Sequence, residues 1–251
     1  MKKLITILML TYIVIAQVLT QQEEEVLPPP IKHIVRMGGA GGFTPFLLFW
    51  NVSNLNESFP GISVPKLTDQ PVLLYGGQGY GYIVFIENFR IGGMGASGSA
   101  SSTSITGNTR RDLDVTVSIG GVTMEYAIPI SERLDIVPGL MLGGGGVNVK
   151  IRRDNYGLKI WNDLIAEWGA VDSVDNFRRD IDGSFFVYQP SVNIEYAILR
   201  WLSFRVGVSY LGMVSPSWKL DEKFDVEGVP SKLNGKGLVI NVGLFLGTFL
   251  F

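Results

Sequence analysis

Few residues in this chain have the type and spacing that chemistry needs. There is one histidine, His33, and no cysteine. Thiolate nucleophiles and thiolate metal sites are therefore excluded, and a single imidazole is left for any relay. Paired carboxylates stand at Asp112 and Asp114, and again at Asp172, Asp175, Asp180 and Asp182. General acid–base work would want such pairs, but Arg110, Arg111, Arg178 and Arg179 lie beside them, and solvated, charge-balanced strand ends and loops are the simpler reading. The 172–182 run lacks the spacing of a calcium loop, so no metal site is expected. Glycine clusters at 38–42, 76–79, 92–95 and 143–146 suggest phosphate cradles. Such cradles need a following helix N-terminus, and these segments continue as strand, so no cofactor is expected either.

The elements that must position these residues follow from composition and periodicity. Of 251 residues, 46% are hydrophobic and only 18% charged, and the net charge is −2. Mean hydropathy is +0.26. This is too apolar for an ordinary soluble surface and gives no basis for binding nucleic acid. Beyond the N-terminus, no apolar run is long enough for a spanning helix. Met1-Lys2-Lys3 followed by the aliphatic stretch from Leu4 to Ala16 predicts a signal peptide over residues 1–16, with cleavage after Ala16 or as late as residue 20. Residues 17–32, with Glu23-Glu24-Glu25 and Pro28-Pro29-Pro30, read as a polar, Pro-rich periplasmic linker.

From 33 to 251 the chain reads as one β-domain. Period-2 patterns predict eight strands, near 33–43, 72–86, 89–102, 112–129, 133–151, 184–198, 201–215 and 236–251. Long and short connections alternate, as in a closed antiparallel up-and-down barrel that crosses a bilayer. Leu202, Phe204, Val206, Val208 and Tyr210 share one parity; Ser203, Arg205, Gly207 and Ser209 share the other. In the fourth strand Asp114, Thr116 and Ser118 disagree in parity with Glu125, and a bulge at Gly120-Gly121 would reconcile them. Tyr126, Tyr196 and Trp201 fall at the short-turn end, where an interfacial girdle belongs.

On this topology Arg36, Arg90, Glu125, Glu195 and Arg205 point into the lumen near the periplasmic end, where they must be paired or hydrated; a structural ion-pair network filling the pore is expected. Two long loops carry helical signals. Trp161, Leu164, Ile165 and Trp168 make an apolar stripe at i, i+3, i+4 and i+7, a loop cap or ligand surface. Phe46-Leu47-Leu48-Phe49-Trp50 in the first loop looks like a second small cap, and the two together could form a lid.

The last strand ends in Phe249 and Phe251 with Phe245 on the same parity, while Leu238, Ile240, Val242, Leu244, Leu246 and Leu250 make the other face apolar too. That terminus resembles the assembly signal of Gram-negative outer-membrane β-barrels. Residues 33–251 as a whole resemble, in pattern, the small eight-stranded barrels of the outer-membrane-protein-A-like and X-like class. The resemblance implies a monomer in the bacterial outer membrane, whose partners are outer-membrane lipid and the barrel assembly machinery. It also allows acylase, deacylase and protease activities, which need acid–base groups at the outer mouth. His33 lies at the opposite end, so an enzyme is not expected. What remains open is an envelope structural or surface-interaction role with a mostly filled lumen, capture of a small apolar ligand, a narrow channel or apolar-solute transporter, or a secreted lipocalin-like binder with the facing inverted.

Overall fold

Alternating polarity and β-branched, aromatic and glycine-rich composition favour extended chain throughout, and extended chain is what forms. The computed structural model describes residues 35–50, 56, 65–67, 71–155, 161, 176–229 and 235–250. Its strands are β1 (Met37–Phe43), β2 (Phe46–Trp50), β3 (Val72–Tyr82), β4 (Phe89–Thr106), β5 (Thr109–Tyr126), β6 (Ile128–Pro129), β7 (Leu134–Asn155), β8 (Phe177–Leu199), β9 (Leu202–Leu220), β10 (Phe224–Asp225) and β11 (Gly237–Leu250).

Several of these are pieces of one wall. β1 and β2 both pair β3 on one side and β11 on the other in an unbroken register, with Gly39 opposite Gly81 and Phe46 opposite Leu74. The interruption falls at Thr44-Pro45, where proline has no N–H to give to a ladder. β6 continues β5 past Ala127 in the same way, against β7. Among the described residues this makes an antiparallel, up-and-down sheet in which each wall pairs its sequence neighbour. β11 pairs both β9, with Leu244 opposite Phe204, and β1, with Leu244 opposite Phe43. The path of pairings therefore returns to its start and leaves no long edge free.

Several expectations are corrected. Phe46–Trp50 is not a loop cap but strand β2, with Phe46, Leu48 and Trp50 buried and Leu47 and Phe49 outside. The medium connection expected at 103–111 shrinks to Gly107-Asn108, because Thr103–Thr106 and Thr109–Arg111 extend the ladder to Thr106↔Thr109. Strict alternation of long and short connections is lost with it. The bulge is not at Gly120-Gly121, where registers run unbroken from Ser118 to Glu125 on both sides. A shift lies instead between β8 and β9, where Ser184↔Ser217 gives way to Phe186↔Val214 around Pro216, another residue with no N–H. The helical elements expected in the long loops fall almost wholly outside the described residues.

β5 resolves its own parity conflict in another way. Leu113, Val115, Val117, Ile119, Thr123 and Glu125 all point inward on one continuous parity, with Asp114, Thr116, Ser118, Val122, Met124 and Tyr126 outward. The facing never changes; the chemistry of the two faces does. Towards the short-turn end the inside is polar and the outside apolar. Beyond Gly120-Gly121 the inside is apolar and the outside polar, as in a water-soluble sheet. β7 and β8 do the same, with Val147, Val149, Phe185 and Val187 inside. These residues join Leu48, Leu74, Leu211, Met213 and Val239 in one continuous core within the closed sheet. Leu67, between β2 and β3, is buried in that core, and Val226 and Val229, after β10, pack against it. Asn56 fastens Leu67 through both its side-chain amide atoms, at 2.9 and 3.0 Å.

Candidate functional site

The sheet turns the even residues of β4 and the odd residues of β5, β8 and β9 inward, and so brings together Arg90, Glu125, Glu195 and Arg205. Both arginines are 0% exposed. Arg90 Nε donates to Glu125 at 2.7 Å and its Nη2 lies 3.3 Å from Glu195. Arg205 Nε donates to Glu195 at 2.9 Å, and its Nη1 to Glu125 at 3.2 Å. Arg90–Glu195 and Arg205–Glu125 join walls that are not neighbours, so these bonds cross the interior. Alternating charge at the four corners satisfies each ion twice, which is what a buried pair needs to offset its desolvation.

Three side chains that sequence reading missed complete the cluster. Tyr80 donates to Glu195 at 2.6 Å and lies under the Arg90 guanidinium, whose Cζ is 3.8 Å from the ring centroid. Gln78 donates to Glu125 at 2.9 Å. Phe245 of β11 stacks beneath Arg205 at 4.3 Å. Arg36 is also inward and buried but reaches a different acid. Its Nε and Nη2 grip Asp135 of β7 at 2.8 to 3.1 Å, and Nη2 also donates to the Ser131 carbonyl. This pair, too, crosses the interior, towards the turn end. Above the charges a polar chamber of about 20 Å³, lined by Gln78, Thr123, Gln189, Asn193, Ser209 and Asn241, separates them from the apolar core. That volume suits about one water and no larger solute.

Outside, the apolar residues are laid out as a belt. Val192, Ile194, Tyr196, Phe204, Val206 and Val208 are exposed over polar interior positions, and Tyr126, Tyr196 and Trp201 are exposed at the short-turn end. Beyond the belt, on the outer faces of β4, β5, β7 and β8, a second charged group surrounds a concavity of about 360 Å³. There Asp112 accepts from Thr103 and Arg110 at 2.8 Å and from Arg152 Nη2 at 2.8 Å. Burial raises the Asp112 pKa, and the hydrogen bonds from Arg110, Thr103 and Arg152 outweigh that, so its carboxyl titrates below its ordinary value. Asp180 pairs with Arg178 at 3.5 Å, and Asn148 donates to Asp182. His33, Asp172, Asp175, Leu164, Ile165, Trp168 and Phe251 lie outside the described residues. Trp161 is 73% exposed, and Phe249 is placed only as a strand residue opposite Gly38.

No family model and no curated protein matches the chain. Its fold resembles those of solved outer-membrane proteins. Ail, the attachment invasion locus protein of Yersinia pestis, in complex with the heparin analogue sucrose octasulfate, is 11% identical with a TM-score of 0.41, over 86% of this chain and 99% of that one. A major outer membrane protein from Thermus thermophilus is 8% identical with a TM-score of 0.43, over 85% and 99%. The outer membrane protease OmpT from Escherichia coli is 7% identical with a TM-score of 0.34, over 86% and 94%.

Proposed function

We propose that the chain is an eight-stranded transmembrane β-barrel of the bacterial outer membrane with a filled interior, acting as a structural or surface-interaction protein of the envelope. The location follows from the exposed belt, because a ring of large apolar side chains over a polar, hydrogen-bonded interior is stable only against hydrocarbon. A secreted lipocalin-like binder would need the reverse facing along its whole height. Only the part beyond Gly120 has it.

The observation that carries the functional reading is that the cross-section is occupied at successive levels. Charge pairs between non-neighbouring walls span it near the turn end, and packed aliphatic side chains fill it further out, under Leu67. A water-filled pore has no continuous path through that column. The carboxylates of the cluster are all held by arginines, so no acid–base role is assigned to them.

The test is planar-bilayer recording on the purified full chain together with gel mobility before and after boiling. The expectation is a heat-dependent mobility shift without discrete conductance steps. Steady channel openings would overturn the filled reading in favour of a narrow channel. A chain that stays soluble without detergent would overturn the membrane reading.

A further inference from the structure

Two buried polar residues that the charge cluster does not use line the same chamber. Gln189 of β8 and Thr123 of β5 are each 3% exposed. Gln189 Nε2 donates to Ser209 of β9 at 2.7 Å, while its Oε1 has no partner among the described residues. Thr123 Oγ1 has none either. Across the strands Thr123 pairs with Gly92 and Met141, and Met141 pairs in turn with Gln189, so the two polar groups stand at one level, two walls apart. Gly92 brings no side chain and Met141 only a thioether. A buried amide oxygen and a buried hydroxyl left this way weigh against the fold, and native interiors supply them with a partner.

Size and charge decide what that partner is. The chamber holds about 20 Å³, above the roughly 10–15 Å³ that one water requires and far below what a sugar, an acyl chain or a phosphate would fill. A bare cation would satisfy both oxygens. The ionised side chains beside the chamber, Arg90 and Arg205 against Glu125 and Glu195, already balance one another, so a cation would bring an uncompensated charge into the interior. A neutral molecule that both donates and accepts brings none, and it meets the needs of an amide oxygen and of a hydroxyl alike. Ser191 and Asn193 also line the chamber and add polar groups to the two to four that hold a buried water.

We infer that the chamber is a binding site for a single ordered water, which donates to Gln189 Oε1, bonds the Thr123 hydroxyl and so ties β5 to β8 between the charge cluster and the aliphatic core. This inference rests on the filled interior proposed above. It is tested by crystallising the full chain in detergent with a rubidium salt. One isolated peak within hydrogen-bond distance of both atoms, without rubidium anomalous signal, is expected. No ordered peak overturns the site, and a rubidium signal overturns water in favour of a cation. A continuous file of waters running past Arg90 and Glu195 would overturn the filled interior as well, which the conductance recording tests on its own. In solution, oxygen-17 relaxation dispersion counts waters held longer than the protein tumbles. Thr123→Val with Gln189→Met should lower that count by about one, and Thr116→Val, on the outer face of β5, should leave it unchanged. An unchanged count in a folded double variant overturns the site; should that variant not fold, the crystallographic result on the unaltered chain decides.

Discussion

Glu195 accepts from Tyr80, Arg90 and Arg205 at once. Such a cluster is costly to break rather than strongly stabilising to have. Glu195→Gln should leave two buried guanidiniums with only Glu125 between them and lower stability by about 3–5 kcal/mol, read from urea unfolding in detergent. A change under about 1 kcal/mol would mean that the cluster is hydrated rather than closed. A second residue-scale prediction concerns Gly143, which faces Gly121 across β5 and β7. A Cβ there would stand 2.5 Å from the Gly121 Cα and closer still to the Gly120 carbonyl, with no flexible side chain to give way. Gly143→Val should cost about 1–3 kcal/mol or more and reduce the heat-modifiable fraction on gels. The four central charges could be read from sequence because each is isolated on an inward parity among apolar or small neighbours. Asp135 could not, since beside Ser131, Glu132 and Arg133 a solvated turn carboxylate explains it equally well. Tyr80 was hidden by flanking glycines that leave the parity of its strand undetermined.

At the scale of the strand, period 2 identified the eight walls but not where each ends, because polarity marks the surroundings of a strand rather than its length. In β5 the polarity of the two faces exchanges at Gly120, so a constant parity looks like a phase error. That is why the pattern suggests a bulge there and why Thr103–Thr106, outside the belt, reads as loop. The register shift near Pro216 has no contrast in polarity to announce it. The inversion makes a prediction that a bulge would not. Val117→Asn puts an amide into the aliphatic core and should destabilise by about 2 kcal/mol or more, whereas Thr116→Asn, one residue away and outward, should stay within about 0.5 kcal/mol. Similar losses at both positions, in the same unfolding assay, would contradict the alternation.

For the molecule as a whole, the belt predicts which tryptophans meet lipid. In single-tryptophan variants, Trp201, 57% exposed at the turn end, should be quenched by brominated lipid; Trp218, 9% exposed within the outer core, should not. Quenching of both alike would remove the distinction between belt and outer core. The belt is also uneven. Large apolar residues run from Phe186 to Ile198 on the outside of β8, but only from Val122 to Ile130 along β5 and β6. On a strand tilted near 40° those stretches correspond to roughly 30 Å and roughly 20 Å of hydrophobic height. On the proposed membrane location a bilayer of uniform thickness would fit only one side, and the mismatch would be relieved by leaning the protein or by thinning the leaflet beside β4 and β5. Leaning would tilt the protein in an undisturbed bilayer, whereas thinning would give it a fixed thin side towards which neighbours of matching thickness would sort.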